Sequence, residues 1–546
     1  MRPNPIVRAL SACMLASSAL LSACGGGGSG SSTSEPIFNS TTTPGTVTGT
    51  VKNYYSGAPI EGATIILMRV TNGTESVVGT ASTNSDGQYV FNQTDISDRF
   101  VLIASESGFG SAVTVFANTA ANPDTNLNTL MLVADNDSAV AASAPATINI
   151  NSLDVAVFPG SAFSLSNGNA PTGNVRITTT LFDPSSDPAI MPGGFQTRDS
   201  DGTVNYLESY GAIGIEASDT AGNSVDLANG VNATIRIPVA SGVDLSAAPQ
   251  LINLYRLDEA LGFWIEDGQA TLDTSGAQAF YQGLITRLGT WNADVPYTPM
   301  TITGCVNNAQ GQPVANARVT TAGRDYIGSS FAYTDAQGRF AVPAQPNSTV
   351  LVSSTVLGQS DTRIVTTGTS ASVDMVTCLS LADGAATIKL TWGANPVDLD
   401  SHLTIAGSNG SSYEIYYRNK SQEVDGVVYD LDVDDISSFG PEITTLPSLV
   451  SERYRFVVHI YYGTGTFATS EARVELNING QLHVFTPTGS DASSTSRYWH
   501  VFDLVKTGGN YTVEPINAFD SVSSLSLLSA DAPEKPTSLP VKHYAK

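Results

Sequence analysis

Asp398, Asp400 and His402 occupy every second position of "VDLDSHL", and Asp430, Asp432 and Asp434 do the same in "DLDVDD". In an extended strand alternate side chains share one face. Each stretch therefore predicts a row of potential metal ligands, with Val397, Leu399 and Leu403 turned the other way towards a core. Like carboxylates on one face repel unless a cation or a base sits among them. Calcium is a hard cation that gathers oxygen ligands from carboxylates and loop carbonyls. If the two stretches are neighbours, Asp398, Asp400, Asp432 and Asp434 form one acidic cluster for calcium, its oxygen shell completed by the turn-prone "AGSNGSS" and "SSFGP". His402 then acts as a hydrogen-bond partner behind the ligands, because calcium prefers oxygen. Zinc would want a His-rich set, and no two histidines are closely spaced in the chain. Two other accounts stay open: the wet face of a sheet in an acidic protein, and a catalytic Asp/His cluster.

The rest of the chain offers no other reaction centre. It lacks Gly-x-Ser-x-Gly, the phosphate-binding Gly-x-x-x-x-Gly-Lys-[Ser/Thr] and His-Glu-x-x-His. With 25 basic against 50 acidic residues, the net charge of −25 repels phosphate backbones and argues against a nucleic-acid partner. Only 14% of residues are charged, while Gly, Ser, Thr, Asn and Val abound. This balance predicts an all-β protein: several β-sandwich domains in series, joined by turns.

At the N-terminus, Arg2 and Arg8 precede the short apolar run "ALSACMLASSALL", then "LSAC" and the tether "GGGGSGSSTS". This order resembles a bacterial lipoprotein signal peptide (1–23). The resemblance implies that Cys24 is diacylated and becomes the mature N-terminus, holding the protein to a membrane through its acyl chains. Gly25, not Asp, follows the cysteine; by the sorting rule of such lipoproteins this implies the outer membrane of the cell envelope. The plainer account is a secretory signal cut near Ala23. Residues 24–45 read as a flexible tether. In an oxidising compartment the remaining pair, Cys305 and Cys378, is expected to form a disulfide rather than two buried thiols.

An internal repeat follows. "VTGTVKNYYSGAPIEGATI" (47–65) aligns with "ITGCVNNAQGQPVANARV" (302–319), and "TNSDGQYVF" (83–91) with "TDAQGRFAV" (334–342). The shared frame has a strand ending in Gly, a turn, a Pro, a strand opening with Ala63 or Ala317, and a turn closing at Gly87 or Gly338 before an aromatic. This frame resembles the carboxypeptidase regulatory-like domain, a transthyretin-like β-sandwich, over 46–135 and 300–381. The resemblance implies fold, not peptidase chemistry. Between the copies, 135–146 reads as a linker and 147–298 as a β-rich middle domain, loosely similar to cartilage intermediate layer proteins through "DEALGFWIEDG" and Trp291–Asp294. Trp264 and Trp291 are expected in its core, with sugar stacking as the alternative. Residues 384–520 resemble a bacterial domain of unknown function marked by a Trp, the Asp-x-Asp-x-His-Leu strand and a later Gly-Pro-Glu (440–442). It holds four of the five histidines. Residues 521–546 read as a disordered tail.

The expected role is structural, adhesive or ligand-binding and non-catalytic, with the last domain as the head and a glycan, a peptide or another envelope protein as partner. The alternatives are a hydrolase using the Asp/His cluster and a periplasmic assembly factor acting by strand addition.

Overall fold

The computed structural model describes residues 45–521, except 96, 98, 119–122, 186, 200–201, 309, 356–359, 382–385 and 479–480. Cys24, the signal-like segment, most of the tether and nearly all of the tail lie outside the described residues. The described chain is all-β, with strands, turns and three single-turn 3-10 helices. Among these residues no helix is long and apolar enough to cross a membrane.

The two repeat copies run through their strands in one order. In the first, Gly45–Asn53 lies between Gln88–Thr94 and Thr125–Met131, the latter parallel to it. The facing sheet runs Thr74–Ser82, Thr64–Thr71, Phe100–Ser105, Ala112–Phe116. In the second, Met300–Asn308 lies between Arg339–Ala344 and Ser372–Asp374. It faces Ser329–Tyr333, Arg318–Gly323, Thr349–Thr355 and Arg363–Thr366.

The repeated landmarks have repeated causes. Thr83 Oγ1 donates to Ile60 O and accepts the N–H of Ala63; Thr334 Oγ1 donates to Val314 O and accepts that of Ala317. Gly87 and Gly338 stand at φ +71° and +70°, and a Cβ on either would meet the carbonyl of Val51 at 2.4 Å or of Val306 at 2.6 Å. Only glycine fits such a left-handed, crowded turn.

The second copy carries a covalent tie. Met300–Asn308 also pairs in parallel with Leu379–Leu381, in the register Val306 to Leu379. That register sets Cys305 beside Cys378, and the two form a disulfide with Cα atoms 4.5 Å apart.

The middle region holds a sheet of eleven strands, from Asn136–Ala141 at one end to Ala146–Ile150 at the other, and a small second sheet of Phe163–Leu165 with Val225–Leu227. The expected linker over 135–146 is thus overturned: Asn136–Ala141 pairs antiparallel with Asn174–Phe182. Its polar side chains suit an edge strand, whose backbone still needs a ladder partner. Trp264 and Trp291 are fully buried and donate to Gly194 O and Arg287 O, so neither is available to stack on a sugar. Asp294, three residues beyond Trp291 on Gly289–Tyr297, is buried as well. Burial raises its carboxyl well above the usual range and the charge of Glu208 adds to this, while Ser209 partly offsets it.

The last sandwich packs a six-stranded sheet on a five-stranded one. The first runs Ser421–Val424, Val427–Val433, Glu442–Leu446, Ala386–Thr391, Arg473–Ile478, Gln481–Phe485. The second runs Ser412–Ile415, Asp398–Ala406, Arg453–Tyr462, Tyr498–Thr507, Asn510–Asp520. Trp392, Leu399, Tyr454, Phe456, Trp499 and Phe502 belong to the apolar core between them.

Buried charges join the modules. Lys389 of the last sandwich lies 3.1 Å from Asp187 of the middle region. Arg473, also of the last sandwich, donates from Nε to the carbonyl of Tyr54 in the first copy at 2.9 Å, covers the Tyr54 ring at 4.0 Å and pairs with Glu475. Burial alone would raise the Asp187 carboxyl, but Lys389 and Arg473 hold it below its ordinary value. Arg324 of the second copy pairs with Asp435 of the last sandwich at 2.5 Å. A cavity of about 460 Å³ remains where the modules meet, with Val113, Met191, Arg318, Phe331, Lys389 and Ile443 in its wall.

Two expectations follow from these contacts. Replacing Cys305 and Cys378 by Ser opens a loop spanning a sequence separation of 73 residues. It should lower stability by roughly 4 kcal/mol in the chain-entropy model, measured by denaturant melts with and without reductant. A carboxyl raised on folding holds its proton more tightly folded than unfolded. Stability therefore falls as pH rises from about 4 towards the folded pKa. Asp294→Asn should flatten the fall in melting temperature between pH 4 and 8; an unchanged slope would remove Asp294 as its source.

Candidate metal centre

The register of the five-stranded sheet builds one side of the site. Asp398–Ala406 pairs antiparallel with Arg453–Tyr462, with Asp400 opposite His459. The next strand sets Tyr498 opposite His459. Asp400, His459 and Tyr498 thus form a cross-strand row, and His402 lies two residues along from Asp400. Leu399 and Leu403 fill the core, as their alternation predicts. The other face is not wet, however: Asp398 and Asp400 are 0% exposed and His402 is 3% exposed. This overturns the solvated-strand account. Tyr416 covers His402 with ring centroids 5.3 Å apart and 20° between planes, and Tyr498 stacks on His459 at 4.4 Å.

The other side comes from the six-stranded sheet through the Gly-Pro-Glu stretch. Gly440 lies at φ +74°, and a Cβ there would stand 2.6 Å from the Trp392 ring. The bare backbone can therefore lie on the indole, and the turn delivers Glu442 to the Asp398–Ala406 strand. Glu442 Oε2 accepts the N–H of Ser401 at 2.6 Å. Its Oε1 is buried and takes no hydrogen bond among the described residues. The separated Trp, Asp-x-Asp-x-His and Gly-Pro-Glu stretches are thus parts of one packed corner.

Two donor groups share Asp400. Asp400, Asp434 and Glu442 each bring a carboxylate oxygen, all within 4.8 Å of one another; Asp400, His402 and His459 do the same on the other side. Burial pushes the Glu442 carboxyl well up, and the charges of Asp400 and Asp434 push it further, with Ser401 partly opposing them. Lys420 lies 2.7 Å from Asp434. Such a crowd of buried carboxylates must keep a proton or hold a cation.

The expected four-aspartate ligand set needs revision. Asp400 and Asp434 come together, but Asp398 belongs to neither donor group. Asp432 serves the contact with the second repeat copy. Its Oδ2 accepts from Thr362 N at 3.0 Å and Thr445 Oγ1 at 2.7 Å, and burial pushes its carboxyl up to about 7. A bulge between Leu431 and Val433 breaks the alternation on which the row was predicted. His402 sits among the possible ligands rather than behind them. Glu442 and His459 are the donors that sequence spacing missed. Glu442 was visible only as part of a motif, and His459 reaches Asp400 only through strand pairing.

Comparison with known proteins adds one domain assignment. Residues 46–132 match the carboxypeptidase regulatory-like domain family. No curated protein matches the chain. Among solved structures, the full-length major pilin SpaD of Corynebacterium diphtheriae is 10% identical, covering 62% of this chain and 98% of its own, with a TM-score of 0.16. A putative carbohydrate binding protein of Bacteroides uniformis is 12% identical over 45% of this chain and 99% of its own, at a TM-score of 0.13. The chain spans 58% of hydroxyquinol 1,2-dioxygenase from Pseudomonas putida, at 13% identity over 17% of this chain and a TM-score of 0.15. TM-scores of this size carry no argument about activity. The similarity with a bearing on this chain is that of its first sandwich to the carboxypeptidase regulatory-like domain.

Proposed function

We propose that this chain is a non-catalytic protein of the bacterial cell envelope, held at the outer membrane by lipid on Cys24, that presents its last sandwich as a binding head. The observation that carries this reading is the sharing of buried charge between modules: Asp187 with Lys389, Arg473 with the Tyr54 carbonyl and ring, Arg324 with Asp435. Such contacts suit a rigid support more than beads on a flexible string. On this reading 46–135 and 300–381 are two regulatory-like sandwiches, 147–298 with its added edge strand is the middle unit, and 384–520 is the head. A glycan, a peptide or another envelope protein is the partner. Calcium at Asp400, Asp434 and Glu442 adds positive charge to a corner where Lys420 pairs with Asp434. A second reading, metal-assisted hydrolysis at the same corner, is favoured by the two histidines beside the carboxylates. Substrate turnover by the full chain that disappears in Asp400→Asn would select it.

Three measurements test the proposal. Cys24→Ser should move the protein from the membrane fraction to the soluble one and remove the acyl mass; unchanged membrane retention would end the anchor. The Cys24→Ser chain should melt in one cooperative transition. Asp187→Ala, which takes from Lys389 its ion-pair partner and from Arg473 the more distant of its two carboxylates, should lower stability by about 3 kcal/mol or more and expose module junctions to limited proteolysis. Separate transitions in the unmutated modules would contradict the rigid support. Calcium at 100 times its dissociation constant should add about 2.7 kcal/mol of stability, and Glu442→Gln should remove most of that gain.

A further inference from the structure

We propose that the head holds a second cation site beside the carboxylate one, made by His402, His459 and Asp400, that takes a late first-row divalent metal of the zinc class, with Asp400 bridging the two ions. The proposal rests on the cation-binding reading of the head only through Asp400, and the two can fail separately.

The first support is geometric. One ring nitrogen from each histidine and one Asp400 oxygen lie within 4.8 Å of one another. A cation with bonds of about 2.0–2.2 Å closes such a triangle after small side-chain adjustments. The same carboxylate also belongs to the Asp434 and Glu442 group, so two ions would be neighbours.

The second support is the state of His402. Its Nδ1 lies 2.7 Å from Glu414 Oε1. With Nδ1–H donated to that carboxylate, Nε2 carries the lone pair. That nitrogen is buried and takes no hydrogen bond among the described residues. A buried imidazole acceptor left unmatched costs free energy. A carboxylate that orients a histidine whose other nitrogen is bare is the arrangement found behind metal-bound histidines. An ordinary core histidine would have both nitrogens satisfied or would turn one towards water. His402 does neither: it is 3% exposed, and its Nε2 finds no hydrogen-bond partner among the described residues while Tyr416 stacks on its ring. Tyr498 stacks on the ring of His459 and fixes its plane.

The third support is donor chemistry. Two imidazoles and one carboxylate form a set of mixed nitrogen and oxygen ligands. Calcium and magnesium favour all-oxygen shells, whereas imidazole suits zinc, copper, iron and nickel. Three protein ligands leave positions open, through which a carboxylate or hydroxyl of a bound glycan or peptide could be held. The corner therefore separates a hard-cation half, with Glu442 from the six-stranded sheet, from a borderline-cation half on the five-stranded one.

The test uses the full chain carrying Cys24→Ser, stripped with chelator and then titrated with cobalt(II), with zinc and with calcium, each alone. Cobalt should give visible absorption of an imidazole-ligated ion at one equivalent, and zinc should displace it. His402→Ala and His459→Ala should each abolish that spectrum while leaving the calcium-induced rise in melting temperature, which also reports that the variants fold. Glu414→Gln should keep the spectrum but weaken cobalt binding about 10- to 100-fold. Cobalt binding with the same spectrum in His402→Ala, or no stoichiometric binding of cobalt or zinc by the unmutated chain, would overturn the proposal. A cobalt spectrum without any calcium response would overturn the calcium reading and leave this site standing.

Discussion

Charge taken out of water must find its opposite nearby, and this constraint organises the protein above the level of the single sandwich. An isolated buried Lys389 or Arg473 would cost several kcal/mol. In this chain Lys389 takes its countercharge, Asp187, from the middle region, while Arg473 pairs with Glu475 of its own strand and finds a further acceptor in the Tyr54 carbonyl of the first copy. Cooperation between modules is therefore written into residues that look, one at a time, like ordinary surface charges. Glu208 follows the same pattern: Gln345 of the second copy donates to it at 2.8 Å.

The corner of the last sandwich obeys the same rule with a different solution. Lys420 reaches Asp434, while Glu442 faces the charges of Asp400 and Asp434 with Ser401 in support. Sheet architecture keeps the groups from moving apart. Strand pairing fixes His459 against Asp400, and the glycine at 440 lets the turn sit flush on Trp392 so that Glu442 cannot swing to solvent. The site is thus made by packing that serves folding first. An acidic crowd is what remains when that packing is complete.

Much of this was legible in the sequence where the cause is local. The repeat landmarks are local: a threonine that closes a turn over Ala63 or Ala317, and a left-handed glycine at 87 or 338. So is the alternation that puts Leu399 and Leu403 in the core and Asp400 on the opposite face. The cysteine pair needed only the logic of an even count. What could not be read is what strand pairing and bulges decide. The bulge at Leu431/Val433 sends Asp432 to Thr362 while Asp434 goes to the corner, though both sit in one regular run of letters. The segment 136–141 has a linker's composition and a strand's backbone, because an edge position asks little of side chains. Glu414, which orients His402, stands 12 residues away on a hairpin partner and had no spacing rule to mark it.

The contact of Arg473 with Tyr54, together with the hydrogen bond from Lys52 Nζ to Leu482 O, has a mechanical meaning. These bonds join the first sandwich directly to the last one, bypassing more than 400 residues of intervening chain. The shortest path between the first and last sandwiches therefore does not run through the eleven-stranded sheet or the disulfide-tied copy. It runs through the guanidinium of Arg473 on Tyr54, the ammonium of Lys52 on the Leu482 carbonyl and the close approach of Gly57 to Val484. Breaking such contacts would part the two sandwiches without any strand leaving its sheet.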